Sequence, residues 1–132
     1  MNRHPALPLQ KAIFDALKND PDLNEIIQGR VYDHVPDNAK FPYLVIGDDS
    51  FSRDLWMHEC FVTVLAFTEQ VGLTGVKRLA GLVQNVLDVE LAVEGYVTQE
   101  WSFEELSFSV EDNDQTQMAE IELRYLLDPD VE

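Results

Sequence analysis

A few groups of side chains in this sequence have the types and spacing that chemistry requires. His34, His58 and Cys60, with Asp33 and Glu59 beside them, supply the nitrogen, sulfur and oxygen donors of a zinc site. Such sites are assembled from close-spaced ligand pairs, and His58-Glu59-Cys60 stands without a second pair to complete a tetrahedron. On an extended segment His58 and Cys60 share a face and Glu59 takes the other. Asp112-Asn113-Asp114 opens like a calcium loop, but the chain has no glycine at the sixth position and no glutamate at the twelfth, so a hairpin turn is the expectation. Asp48-Asp49 can hold magnesium, yet in a polar, turn-rich stretch the pair reads as solvated. Arg30, Tyr32, Asp33 and His34 crowd together in sequence, but on a strand Val31 and Asp33 lie opposite Tyr32 and His34, and they do not converge. Gly-x-Ser-x-Gly, a phosphate loop and a paired-glycine fingerprint are absent from the sequence. Cys60 sits in an apolar run, as a small core residue and not a nucleophile. The expectation is a chain with no catalytic residues, no metal and no cofactor.

The elements that must position these residues follow from periodicity. Pro8 marks the first helical position, and Leu9, Ile13, Ala16 and Leu17 form one stripe to about Lys18. Asp20 caps a second, short helix with Pro21 at its first position, Leu23, Ile26 and Ile27 inward, and Gly29 as the stop. A short strand ending at Pro36 comes next, then a strand from Tyr43 to Gly47 whose start is set by Pro42. Asp48 to Asp54 is expected as a projecting loop or the tip of a long hairpin. Cys60 to Phe67 is apolar on both parities, which predicts a central strand covered on both faces, one cover being a helix from about Leu73 to Leu87. The other cover is helix one or a neighbouring subunit. In the last third Val97, Trp101 and Phe103 share one parity and Leu106, Phe108 and Val110 the other, which predicts a bulge or break across Glu104-Glu105. Glu111 to Gln115 is the turn, and the returning strand puts Ala119, Ile121, Leu123 and Tyr125 inward and Glu120, Glu122 and Arg124 outward. The fold class is α+β, a mainly antiparallel sheet packed against two principal helices.

Composition narrows the function classes. A chain of 132 residues with 45% hydrophobic content is one domain, spanning 1–132, that buries roughly two thirds of its unfolded surface. No apolar run reaches a membrane span, and Met1-Asn2-Arg3-His4-Pro5 does not look like a secretory signal, so the cytosol is the expected compartment and no membrane partner is expected. The single cysteine excludes an internal disulfide. The formal charge of −16 is unevenly spread: residues 1–87 carry a net −3, whereas residues 88–132 carry 14 acids against Arg124 alone, a net −13. Such a surface repels phosphate, because nucleic-acid binding needs Lys and Arg to displace counterions. Two readings stand: a solvated surface that maintains solubility, or a non-stick lining for a channel through which DNA slides.

The blocks Leu9-Gln10-Lys11-Ala12-Ile13-Phe14-Asp15-Ala16-Leu17, Ile26 to Pro36 (with Gly29-Arg30-Val31-Tyr32-Asp33-His34-Val35-Pro36) and Phe41-Pro42-Tyr43-Leu44-Val45-Ile46-Gly47-Asp48-Asp49-Ser50, with the central strand and the helix containing Gly75 to Ala80, resemble the tail-completion proteins of siphophages and gene transfer agents. The match loosens at Arg124 to Glu132 and in the acidic final third. The resemblance implies a tail-terminator-like, non-enzymatic protein of the virion tail, assembled in the host bacterial cytoplasm. It implies a hexameric ring of the chain that caps the tail tube and joins it to the head connector. The implied partners are other copies of the chain, the tail tube protein and the head-tail connector, with DNA only as passing cargo. A ring needs heterologous contacts, for which Phe51, Arg53, Leu55, Trp56 and Met57 in and after the hairpin loop are the interface candidates. Glu100, Glu104, Glu120 and Glu122 are the candidates for an acidic lumen. The alternatives are a stand-alone α+β ligand-binding or regulatory domain, and an enzyme using acidic residues around a bound metal.

Overall fold

Helix α1 (Ala6–Asn19) starts two residues ahead of Pro8, which therefore lies in the first turn, where its missing N–H removes no helical bond. The computed structural model describes residues 4–54, 56–69, 72–111 and 115–129. Asp20 caps α2 (Pro21–Ile27), its carboxylate accepting from the Leu23 amide at 2.9 Å. The helix stops at Gln28 and Gly29, both with positive φ, and Asn24 staples this corner by donating to the Leu17 carbonyl and accepting from the Gly29 amide. For α2 the signals for cap, first-position proline and stop read correctly because they are local, whereas Pro8, expected at the first position of α1, is its third residue.

The remaining elements are β1 (Val31–Tyr32), β2 (Tyr43–Asp54), β3 (Met57–Glu69), α3 (Thr74–Leu87), β4 (Tyr96–Val110) and β5 (Thr116–Pro129). They make one sheet in the order β1-β2-β3-β5-β4, antiparallel except where β1 meets β2. The three helices gather on one face. There Leu9, Ile13 and Leu17 of α1 and Val76, Leu79, Ala80, Val83 and Leu87 of α3 close over Val62, Val64, Ala66, Ile121, Leu123 and Tyr125. Full burial of each large aliphatic contributes about 1.5–3 kcal/mol. Two hydrogen bonds pin the layers from inside: the Tyr125 hydroxyl donates to the Leu87 carbonyl at 2.6 Å, and Thr98 donates to the Leu91 carbonyl at 2.7 Å.

Four expectations need correcting. The strand before Pro36 is only Val31–Tyr32, so Asp33 and His34 lie beyond it. Of the two alternatives for the polar stretch to Asp54, the loop is overturned and the hairpin stands: it is the second half of β2, paired with β3 as far as Asp54 opposite Met57 at the end of a long hairpin. The central strand β3 is covered on one face alone within the chain: Cys60, Val62, Val64 and Ala66 are buried, while Phe61, Leu65 and Phe67 stay half-exposed. Val97, read as sharing a phase with Trp101 and Phe103, instead faces away from them and is 45% exposed, because a register shift between Thr98 and Glu100 reverses the phase ahead of Trp101. The anticipated shift near Glu104-Glu105 is present, between Phe103 and Glu105. Of the turn expected at Glu111 to Gln115, residues 112–114 lie outside the described residues; the Glu111 amide donates to the Thr116 carbonyl at 2.7 Å on its flanks.

Candidate interaction surface

The long β2–β3 hairpin owes its shape to a register shift between Ile46 and Asp49. One extra residue there exchanges the faces, so Phe51 turns to the helix side, opposite Cys60, and Arg53 lies opposite His58. Phe51 is half-buried against the core, with the His4 ring edge-on to it at 5.0 Å. Arg53 is exposed, Met57 is half-exposed, and Trp56 at the tip is 61% exposed. Leu55 lies outside the described residues. His58 and Cys60 do share a face, but their surroundings are those of packing. The His58 ring meets Tyr96 edge-on at 5.7 Å, and burial, helped by Arg53 and His4, lowers its pKa. Cys60 is fully buried, its thiol pushed up to about 12 by burial and by Asp49 and Glu59, so it remains protonated. His34 is exposed beyond β1, and among the described residues no three His, Cys, Asp or Glu side chains converge to hold a metal.

The face of the sheet opposite the helices carries the other candidates. At the end where β2 begins and β3 ends, Tyr43 stacks on Phe67 with ring centroids 5.1 Å apart, and Phe41 and Tyr32 extend the cluster at 5.2 and 5.8 Å. Burial, with Glu111 and Tyr32 nearby, raises the Tyr43 pKa. Across β3, β5 and β4 the same face becomes acidic. Strand register puts Glu122 opposite Glu105 on one side and Thr63 on the other, and Glu120 opposite Ser107 and Leu65. Like charges directly opposite destabilise a ladder, so Glu105 and Glu122 work against the sheet that holds them. Arg124 is the one cation among these carboxylates within the described residues. Its Nε donates to Glu59 at 2.6 Å and its second nitrogen to Glu100 at 3.4 Å, which raises its pKa.

Glu100, Glu120 and Glu122 are therefore brought together on one face. Glu104 sits in the β4 bulge, exposed, accepting from the Ser102 hydroxyl at 2.7 Å. Glu59, Glu105 and the aromatic cluster escaped the sequence reading. Strand alternation assigns faces, but which residues of two strands stand opposite depends on register, and the bulges that set it leave weak signals. Chemically the face offers carboxylates, one clasped guanidinium and half-covered rings, which suits contact with other macromolecules.

Residues 11–128 match the family described as tail completion protein gp17. No curated protein matches the chain. Among solved structures, a chain from the virion of a native gene transfer agent particle superposes with a TM-score of 0.83 at 18% identity, covering 96% of this chain and 98% of that one. A second solved chain superposes at 0.59 with 14% identity and the same coverage. At these identities the likeness is one of fold.

Proposed function

The chain belongs to the tail completion protein gp17 family, and from that membership we propose that it is a structural, non-enzymatic component of a phage or gene transfer agent tail. It caps the tail tube as a ring, a hexamer of this chain, and joins the tube to the head connector. Its place is the virion tail, reached after assembly in the host cytoplasm. Its partners are other copies of itself, the tail tube protein and the connector protein, with DNA passing through as cargo.

Family membership over residues 11–128 carries this reading, and the likeness to a gene transfer agent virion chain supports it. The β2–β3 hairpin, with Phe51, Arg53, Leu55, Trp56 and Met57, reaches a neighbouring subunit or the tube. Glu100, Glu104, Glu120 and Glu122 line the passage, where carboxylates repel phosphate and keep DNA from adhering. The like-charge pairing of Glu105 and Glu122 fits a face selected for its charge and not for sheet stability.

Electron microscopy of particles assembled without this chain tests the proposal. Expected are tails of unregulated length that are not joined to heads. Normal tails on filled heads would sink it. In an assembled particle at side-chain resolution, the four carboxylates on the outer rim would remove the lumen assignment while leaving the capping role.

A further inference from the structure

The chain's charge is segregated along the sequence, with a net −3 in residues 1–87 and a net −13 in residues 88–132. Eight of the nine Lys and Arg residues fall in 1–87, and the ninth, Arg124, is already clasped by Glu59 and Glu100. On the side of the sheet where β1 and β2 lie, a groove of about 740 Å³ opens between the segment leading into β2 and the first turns of α3. Ile26, Phe41 and Pro42 give it an apolar floor, and Lys40 and Arg78 stand exposed on its walls. Among the described residues neither cation has a carboxylate within 4 Å; Glu69 is the one acid that lines the groove. Neighbouring Lys77 is engaged otherwise, over the Phe108 ring at 5.5 Å. In a chain of net charge −16, two exposed cations on the walls of a mixed polar and apolar groove match an acidic surface.

That acidic surface is at the opposite edge of the same molecule. β4 is the last strand in the order β1-β2-β3-β5-β4, and it presents Glu100, Glu104 and Glu105, all exposed. Its two register shifts and its glutamates discourage addition of a further strand by backbone pairing, so contact there runs through side chains. We infer that the Lys40–Arg78 groove receives Glu104 and Glu105 from the acidic β4 edge of a second copy of this chain, so that Glu104 belongs to this contact and Glu100, Glu120 and Glu122 remain for the passage. One surface meets a different surface of the next copy, which is the heterologous contact that closes rings. The inference rests on the ring reading above for its closure. Exposed ion pairs are individually weak and screened over roughly 8 Å at physiological salt, so the contact is salt-sensitive.

Sedimentation velocity on the full chain and two charge-swapped variants, K40E/R78E and E104K/E105K, tests it. The wild type is expected to associate with rising concentration at low ionic strength and to dissociate in high salt. Each variant alone should sediment as a monomer. An equimolar mixture should associate again, about tenfold tighter than either variant by itself, because every acidic edge then finds a basic groove. Circular dichroism confirms that the variants fold, as expected for exposed positions. A wild type that stays monomeric at low salt, or a mixture that stays monomeric, overturns the inference. Variants that associate as well as the wild type also overturn it, placing the contact elsewhere and leaving the ring itself to stand or fall by the tail-length experiment.

Discussion

Tyr125 is the buried polar group with most at stake. Its hydroxyl reaches the last carbonyl of α3 from the middle of β5, and burial, with Asp88 nearby, keeps it protonated far above the ordinary tyrosine range. Tyr125→Phe leaves that carbonyl unsatisfied, with an expected loss of about 1–2 kcal/mol in urea unfolding and no change of fold. His58 gives a pH dependence of definite sign. Its folded pKa lies below the ordinary 6.5, so as pH falls through 6.5 the unfolded chain takes up the proton before the folded one does. Stability therefore declines on acidification in that window, and His58→Gln should flatten the slope between pH 7 and 5 relative to wild type. A His58→Gln variant with an unchanged slope would show that the ring titrates as if unfolded. None of these roles was legible beforehand: the sequence marks Tyr125 as inward and His58 as sharing a face with Cys60, but both partners, Leu87 and Tyr96, arrive from distant parts of the chain.

At the level of elements, short-range signals were reliable. Asp20 caps α2 as its position before Pro21 foretold, and Asp20→Ala should cost about 1 kcal/mol in thermal or chemical unfolding. The apolar stripe of α3 and the alternation of β5 assign their buried faces correctly because each element's own period determines which residues can share a side. Val64, fully buried at the centre of β3, tests the core: Val64→Asp is expected to cost more than about 4 kcal/mol and leave no folded protein by circular dichroism. The misreadings occur where pairing overrides composition. Asp48 to Asp54 is polar and turn-rich, yet Asp49 to Asp54 pair along one edge with β3, and the stretch becomes the end of a long hairpin and not a loop. The inserted residue near Thr98 puts Val97 on the face opposite to Trp101 and Phe103, although the three share one parity in the sequence.

For the whole molecule, the question is which surfaces are free to be shared. Trp56 is 61% exposed at the hairpin tip, where it contributes little to the monomer. Trp56→Ala should change stability by no more than about 0.5 kcal/mol while impairing assembly onto tails, read by thermal melting beside particle microscopy; a collapse in melting temperature would instead place the indole in the core. The sequence by itself determined the element order, the α+β class, the inward faces of α1, α3 and β5, the asymmetry of charge, and the motifs shared with tail-completion proteins, since all of these depend on residues near one another in the chain. Only the tertiary structure decided that every helix covers the same face of the sheet. It alone put Glu59, Glu100, Glu105, Glu120 and Glu122 on one face of the sheet, with Arg124 bonded to Glu59 and Glu100, and set the groove with Lys40 and Arg78 on the opposite side from the β4 edge. Those juxtapositions are products of strand order and register, settled by long-range burial of one sheet face, and no local pattern of residues encodes them.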